Sequence, residues 1–178
     1  VAMIPTDFTI ASVDWNNEAE RDACRAVREQ VFIVGQNVPR EDEWDALDAT
    51  SRHVLARDLD GNPIGTGRLT PERKIGRMAV LADWRGKHVG EAILNRLVEQ
   101  ARALSYPAVE MHAQTHAVPF YEKFGFVKYG DEFEECAIKH YNMRRELAPF
   151  AAPDRPAPPP RPEVRSVLVD SREQALAE

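Results

Sequence analysis

Three short stretches of the chain combine residue types that can do chemistry. The first is Arg85-Gly86-Lys87-His88-Val89-Gly90, between the apolar run KIGRMAV and a long amphipathic segment. Glycines at a strand-to-helix turn let backbone N–H groups approach an anion, the helix start adds the positive end of its dipole, and Arg85 and Lys87 add cations. That combination suits a diphosphate, although an ordinary surface turn has the same composition. The second stretch is AVEMHAQ, residues 108–114. Alternation in a strand puts Val109, Met111 and Ala113 on one face and Glu110, His112 and Gln114 on the other. A carboxylate and an imidazole in one row suit proton transfer; a buried, hydrogen-bonded structural histidine is the competing reading of His112. The third stretch holds Glu41, Asp42, Glu43, Asp45 and Asp48 around Trp44. Carboxylates around an aromatic ring attract a cationic amine by charge and cation–π contact; alternatively the loop is solvated and Trp44 is tucked into the core.

These stretches need a scaffold, and the apolar periodicity supplies one. DFTIASVDW suits a short strand. A helix follows, capped by Asn16 or Asn17, with Ala23, Val27, Val31 and Val34 at helical spacing. The acidic stretch after it is aperiodic and reads as a loop. SRHVLARD and IGTGRLT flank Asp60-Gly61-Asn62-Pro63 as a hairpin, with Gly and Asn supplying positive φ. KIGRMAV is a further strand. In the segment from Gly90, Ile93, Leu94, Leu97, Val98, Ala101 and Leu104 form one helical stripe. AVEMHAQ is a strand, HAVPFYEKF a short helix stopped by Gly125, and FVKYGDEFEECAIKHYNMRREL two strands turning around Gly130–Glu132. This order predicts an α/β (α+β mixed) domain with a central, mostly antiparallel twisted sheet and helices packed over it.

Composition bounds the rest. The net charge of −6 lies almost wholly before residue 148, because the last 31 residues hold four basic and five acidic side chains. That argues against a nucleic-acid surface. No run approaches a membrane span and no leader is evident, so a soluble cytoplasmic protein without a membrane partner is the expectation. Cys24 and Cys136 have no metal or redox spacing and read as reduced packing residues. Seven of the 13 prolines fall within residues 149–162. They divide the chain into a domain over 1–147, a proline-rich linker over 148–163, and a segment over 164–178 that begins a further, truncated domain or docks as a tail.

Taken in order, several motifs resemble one family. RGKHVG after IGRMAV, followed by an amphipathic helix, AVEMHAQ and HAVPFYEKFGF, resembles the GNAT superfamily of acetyl-CoA-dependent N-acetyltransferases. EQVFIVGQNVP, EDEWDALD, HAQTHAVPFYEKFGF and FEECAIKHYNM are similar to its ElaA-like branch. The resemblance implies a GNAT-type fold of about six to seven strands with about four helices. It also implies acetyl transfer from acetyl-CoA to a primary amine by direct attack in a ternary complex. No metal is expected.

The implied roles map residue by residue. The diphosphate pattern falls on Arg85, Gly86, Lys87, His88, Val89 and Gly90. His88 stands where the family usually has glycine, so its ring either points to solvent or itself reaches a phosphate. The main chain of Met78, Ala79 and Val80 matches the strand that pairs with the pantetheine arm. Tyr121 matches the tyrosine that protonates the departing thiolate, while Phe120, Phe124 and Phe126 read as an aromatic core stripe. Gln114 occupies an asparagine position that hydrogen-bonds the pantetheine or a water. Glu43, Trp44 and Asp45 fall where the acceptor pocket forms, and His140, with His53, lines the same cavity. The base stays open among His112, Glu110 and the acidic loop. The implied partner is a small-molecule or peptide amine, with the protein a monomer or homodimer. A non-catalytic acyl-CoA-binding sensor or scaffold domain is the alternative.

Overall fold

The computed structural model describes residues 7–147 and, beyond them, only the two-residue strand Val164–Arg165. The proline-rich stretch and the helix expected from Asp170 or Ser171 lie outside the described residues.

The first strand, β1 (Phe8–Val13), leads into α1 (Glu18–Arg28). Asn17 caps the helix, its side-chain oxygen accepting from the Glu20 N–H at 3.2 Å, while Glu20 reaches back to accept from the Asp14 N–H at 2.7 Å. Beyond Arg28 the helix widens into a π-helical turn, Glu29–Val34, closed by the Gly35 N–H on the Gln30 carbonyl. The wide turn delays the return of the next inward side chain. Cys24, Val27, Arg28, Val31 and Phe32 are therefore buried, and Val34, expected on the stripe, is exposed. The acidic stretch is better ordered than expected: α2 (Arg40–Glu43) and a 3-10 turn, Ala46–Thr50, organise it.

Strands β2 (Arg52–Asp58) and β3 (Pro63–Leu69) form the expected hairpin. Of the two residues expected at positive φ only Gly61 adopts it (87°). Asn62 instead donates its N–H and side-chain amide to the Asp58 carboxylate, at 2.8 and 3.1 Å. β4 (Ile75–Val80) completes a five-stranded antiparallel sheet in the order β4-β3-β2-β1-β8, where β8 is Val164–Arg165. The long helix α3 (Val89–Ala103) lies across one face of this sheet. Gly65 and Gly67 let it do so: a Cβ at Gly67 would sit 2.6 Å from Ile93 Cγ2, and one at Gly65 2.9 Å from Val89 Cγ1. Thr66 and Arg68 alternate to the opposite face, toward α1.

A second antiparallel sheet has the order β5-β7-β6, built from β5 (Ala108–Gln114), β6 (Val127–Glu135) and β7 (Ile138–Glu146). The short helix α4 (Val118–Glu122) joins β5 to β6 and ends toward Gly125 (φ 84°). The β6–β7 reversal lies later than expected. It occurs at Cys136 and Ala137, both at positive φ (50° and 61°), the geometry of a two-residue primed turn. Gly130 instead sits in a bulge where the register slips between Tyr129 and Phe133. Cys24 is buried as expected, but Cys136, at the turn, is exposed.

The two sheets meet edge to edge. β4 and β5 run parallel and touch at the bridge Lys74↔Glu110, where the Glu110 N–H donates to the Arg73 carbonyl at 3.1 Å. Past that point β4 continues with β3 and β5 with β7, so the strands separate toward their carboxyl ends. The divergence begins at a bulge in β4. Thr66 pairs with Ala79 and Arg68 with Gly76, leaving two β4 residues against Gly67, and Arg77 there has φ 49°.

Candidate active site

The opening between Val80 and Gln114 brings together the stretches singled out by their chemistry. At its rim, Ala82–Trp84 forms a single 3-10 turn and the chain enters α3 through two left-handed residues, Gly86 (φ 77°) and His88 (φ 64°). Left-handed residues alternating with ordinary ones fold successive N–H groups into a concavity, and here it sits at the start of a 15-residue helix. The geometry explains why glycine suits position 88, since a Cβ in the left-handed region costs about 1 kcal/mol or more. The His88 ring is turned back onto the helix, its Nδ1 2.7 Å from Glu91 Oε2. Lys87 lies 5.0 Å over the Trp84 ring. Arg85 crosses the opening, and its Nε–H donates to the Val80 carbonyl at 3.1 Å.

A mixed domain in which an edge strand leads into a turn with two left-handed residues, with a parallel neighbour splaying away, is the arrangement to which comparison with known proteins gives a family. Residues 20–147 match the model of the acetyltransferase (GNAT) domain. The chain belongs to the GNAT acetyltransferase family. It is 37% identical over 135 residues to the Bacillus subtilis (strain 168) protein called uncharacterized N-acetyltransferase YjcF, covering 74% of this chain and 95% of that one. It is 32% identical over 126 residues to Escherichia coli (strain K12) protein ElaA, covering 66% and 81%. The crystal structure of E. coli ElaA superposes with a TM-score of 0.70 at 27% identity, over 78% of this chain and 99% of that one. An acyl-CoA N-acyltransferase from Pseudomonas aeruginosa gives 0.68 at 28% identity, over 76% and 98%. Acyltransferases of the GNAT family use acetyl-CoA. Among the described residues no helix is long and apolar enough to cross a membrane.

Across the opening, the acidic stretch departs from the reading of a loop open to a cation. Buried Arg28, 1% exposed, donates from Nε to Glu43 Oε1 at 2.8 Å and from Nη1 to Asp48 Oδ1 at 2.9 Å. Arg68 pairs with Asp45 and Asp48 at 2.8 and 3.0 Å, and Arg77 with Asp45 at 3.2 Å. Burial works to raise the Asp48 carboxyl, but Arg28 and Arg68 hold it below the usual carboxylate range. Trp44 faces its own scaffold: Arg28 stacks over its ring at 5.0 Å and Arg25 at 5.6 Å. Neither Trp44 nor Asp45 lines the cavity described next. These pairs hold the left-handed Arg77, and with it the bulge at which β4 and β5 begin to part.

A cavity of about 60 Å³ lies between α2 and the small sheet, lined by Asp42, Glu43, Arg77, Gln114, Glu135 and His140 among others. A larger one, about 510 Å³, opens between the end of the α1 helix, the β2–β3 turn and Leu81–Arg85. Between them stands a reciprocal amide pair. Gln36 donates to Gln114 at 3.0 Å and Gln114 to Gln36 at 2.8 Å, so the buried Gln114 side chain is engaged by protein. The π-helical turn of α1 brings Gln36 inward.

The row on β5 spreads its residues apart. Glu110, at the far end, pairs with Arg144 at 3.0 Å. His112 pairs with Glu135 at 3.3 Å and meets the edge of Phe133. Of the row only Gln114 lines the cavity, where His140 sits opposite it in the register. His53 does not join His140. It is buried under Trp15, stacked at 3.8 Å, and its Nε2–H donates to the Asp48 carbonyl at 2.8 Å. Burial pushes its pKa down to about 4. Phe120 and Phe126 are buried as core packing, and the buried Tyr121 ring of α4 meets them edge-on at 5.1 and 6.0 Å. Gln36, Arg77, His116 and Glu135 were not singled out in the sequence. His116 follows β5, and its pKa is lowered by burial and then by the nearby Arg85 and His140 charges. None carries a local pattern; each reaches the opening through a turn or a bulge.

Proposed function

We propose that this chain is an N-acetyltransferase that moves an acetyl group from acetyl-CoA to a primary amine by direct attack in a ternary complex. The observation that carries the reading is the open edge of β4 leading into the Gly86–His88 anion loop at the N-terminus of α3, beside a diverging parallel β5. Acetyl-CoA supplies an activated thioester. Its diphosphate is held by the backbone of residues 86–90 with Arg85 and Lys87, and its pantetheine arm pairs with the main chain of Met78, Ala79 and Val80. The Arg85–Val80 bond lies across that path, so Arg85 gives up the Val80 carbonyl to the arm and turns toward the diphosphate. His88 contributes its backbone shape, its ring being committed to Glu91. The acceptor amine enters from the cavity side, and Tyr121 donates the proton to the departing thiolate.

Replacing Tyr121 with Phe tests the reading. Turnover, followed by thiol release against spermidine, glucosamine and peptide amines, is expected to fall about 100-fold with acetyl-CoA affinity unchanged. Unaltered turnover removes Tyr121 from the mechanism. Acetyl-CoA binding without thiol release across the panel would instead mark the domain as a sensor or scaffold.

A further inference from the structure

The buried imidazole on the wall of the small cavity does more than line it. His140 is 2% exposed, and its Nδ1 lies 2.7 Å from the Ile138 carbonyl. A carbonyl only accepts, so Nδ1 carries the hydrogen and, in the neutral ring, Nε2 holds the basic lone pair. The tautomer is therefore chosen by the backbone of the same strand. Phe133, opposite His140 in the β6–β7 register, stacks on the ring at 5.7 Å and 19° and fixes its plane. A base held in one tautomer and one orientation beside a cavity is an arrangement for proton transfer; His53 is held in the same way by the Asp48 carbonyl and Trp15 but lines neither cavity, so the cavity is what sets His140 apart.

Resting on the acetyltransferase reading above, we propose that His140 Nε2 is the general base that takes the proton from the acceptor ammonium. Of the other candidates, Glu110 is paired with Arg144, His112 with Glu135, Glu43 with Arg28, and Asp45 and Asp48 with Arg68, while Asp42, on the cavity wall, accepts from the Cys136 thiol. The cavity of about 60 Å³ holds a few waters or an aminomethyl group. The charged groups that face His140 are Glu135 on β6, His116 after β5, Asp42 and Glu43 on α2, and Arg77 on β4. Glu43 and Glu135 are already paired, with Arg28 and His112, so among these carboxylates Asp42 is the one whose charge is offered to a cationic substrate and to the imidazolium that forms. In the step, the ammonium gives one proton to Nε2, and its freed lone pair forms the new N–C bond. The C–S bond breaks and the thiolate takes the Tyr121 proton. The nitrogen's surplus proton restores Tyr121 through solvent, and Nε2 passes its own proton to water, for one proton released per turnover.

The test uses His140→Asn, whose amide keeps a donor for the Ile138 carbonyl but has no basic atom. Expected are unchanged acetyl-CoA affinity by calorimetry and a kcat lowered about 100- to 10,000-fold near neutral pH. The deficit should shrink as the pH approaches the amine's own pKa, where free amine needs no base. Imidazole in solution should restore part of the activity to His140→Ala, which covers the case of an Asn variant that does not fold. A kcat within about threefold of the unaltered protein, or a deficit equal at every pH with no rescue in the Ala variant, overturns the proposal and leaves the acetyltransferase reading intact. No turnover by the unaltered protein overturns both.

Discussion

The two sides of the β4–β5 opening are built on different principles. On the side proposed to hold the coenzyme, the donor side, the groups are main-chain N–H and C=O groups, and what places them is local: Gly86 and His88 at left-handed φ, then an uninterrupted helix. On the side proposed for the acceptor the groups are side chains, and what places those of α1, α2, β3 and β4 is a chain of ion pairs through Arg28, Arg68 and Arg77. A backbone site tolerates changes of side chain. A network of buried charges does not, because removing one member leaves its partners desolvated and short of countercharge.

The comparison is broken hardest at Arg28. Changing Arg28 to Met breaks two buried pairs, leaving Asp48 to Arg68 and Glu43 to Arg77, and should cost about 3–5 kcal/mol, read by urea unfolding. The surviving folded protein should still bind coenzyme A, since the pairs of Arg28 itself end on Glu43 and Asp48 and Arg77 keeps Asp45; a parallel loss of affinity would show that the network carries through Arg77 into β4.

Next in size is a pH effect on the same side. His53 has a pKa of about 4 folded against 6.5 for the ordinary group, so the folded state refuses a proton that the unfolded chain accepts. Its contribution is complete above pH 6.5 and is lost as the pH falls toward 4, a loss of about 2–3 kcal/mol. In His53→Gln, which keeps a donor for the Asp48 carbonyl, that slope should vanish. A variant whose unfolding free energy follows the same pH curve as the parent would place the effect elsewhere.

The smallest effect sharpens the comparison from the donor side. His88→Gly removes the ring and its contact to Glu91 but suits the left-handed backbone. Stability should change by less than about 1 kcal/mol, and acetyl-CoA affinity, measured by calorimetry, should stay within about threefold. A tenfold loss would mean that the ring itself holds phosphate.

Legibility in the sequence follows the same division. The RGKHVG loop, the stripe of α3, the β2–β3 hairpin and the alternation of AVEMHAQ were readable because each depends on residues within a few positions of one another. The β6–β7 turn was misplaced because Gly130 marks a turn as readily as a bulge, while Cys136 and Ala137 take positive φ without a residue type that favours it. The acidic stretch showed its charge but not its partners. Arg68 and Asp45 are 23 residues apart, and Gln36 and Gln114 are 78 apart.

By itself, then, the chain of residues determined the family, the strand and helix order, and the glycine-bearing turn that opens α3, since short-range sterics and periodicity act within single segments. The tertiary structure alone decided that the acidic loop is neutralised from within, that His53 and His140 go to different places, and that His140 presents Nε2. Those outcomes depend on which side chains from distant segments meet in the interior, where burying a charge without its partner costs more than any local preference can offset.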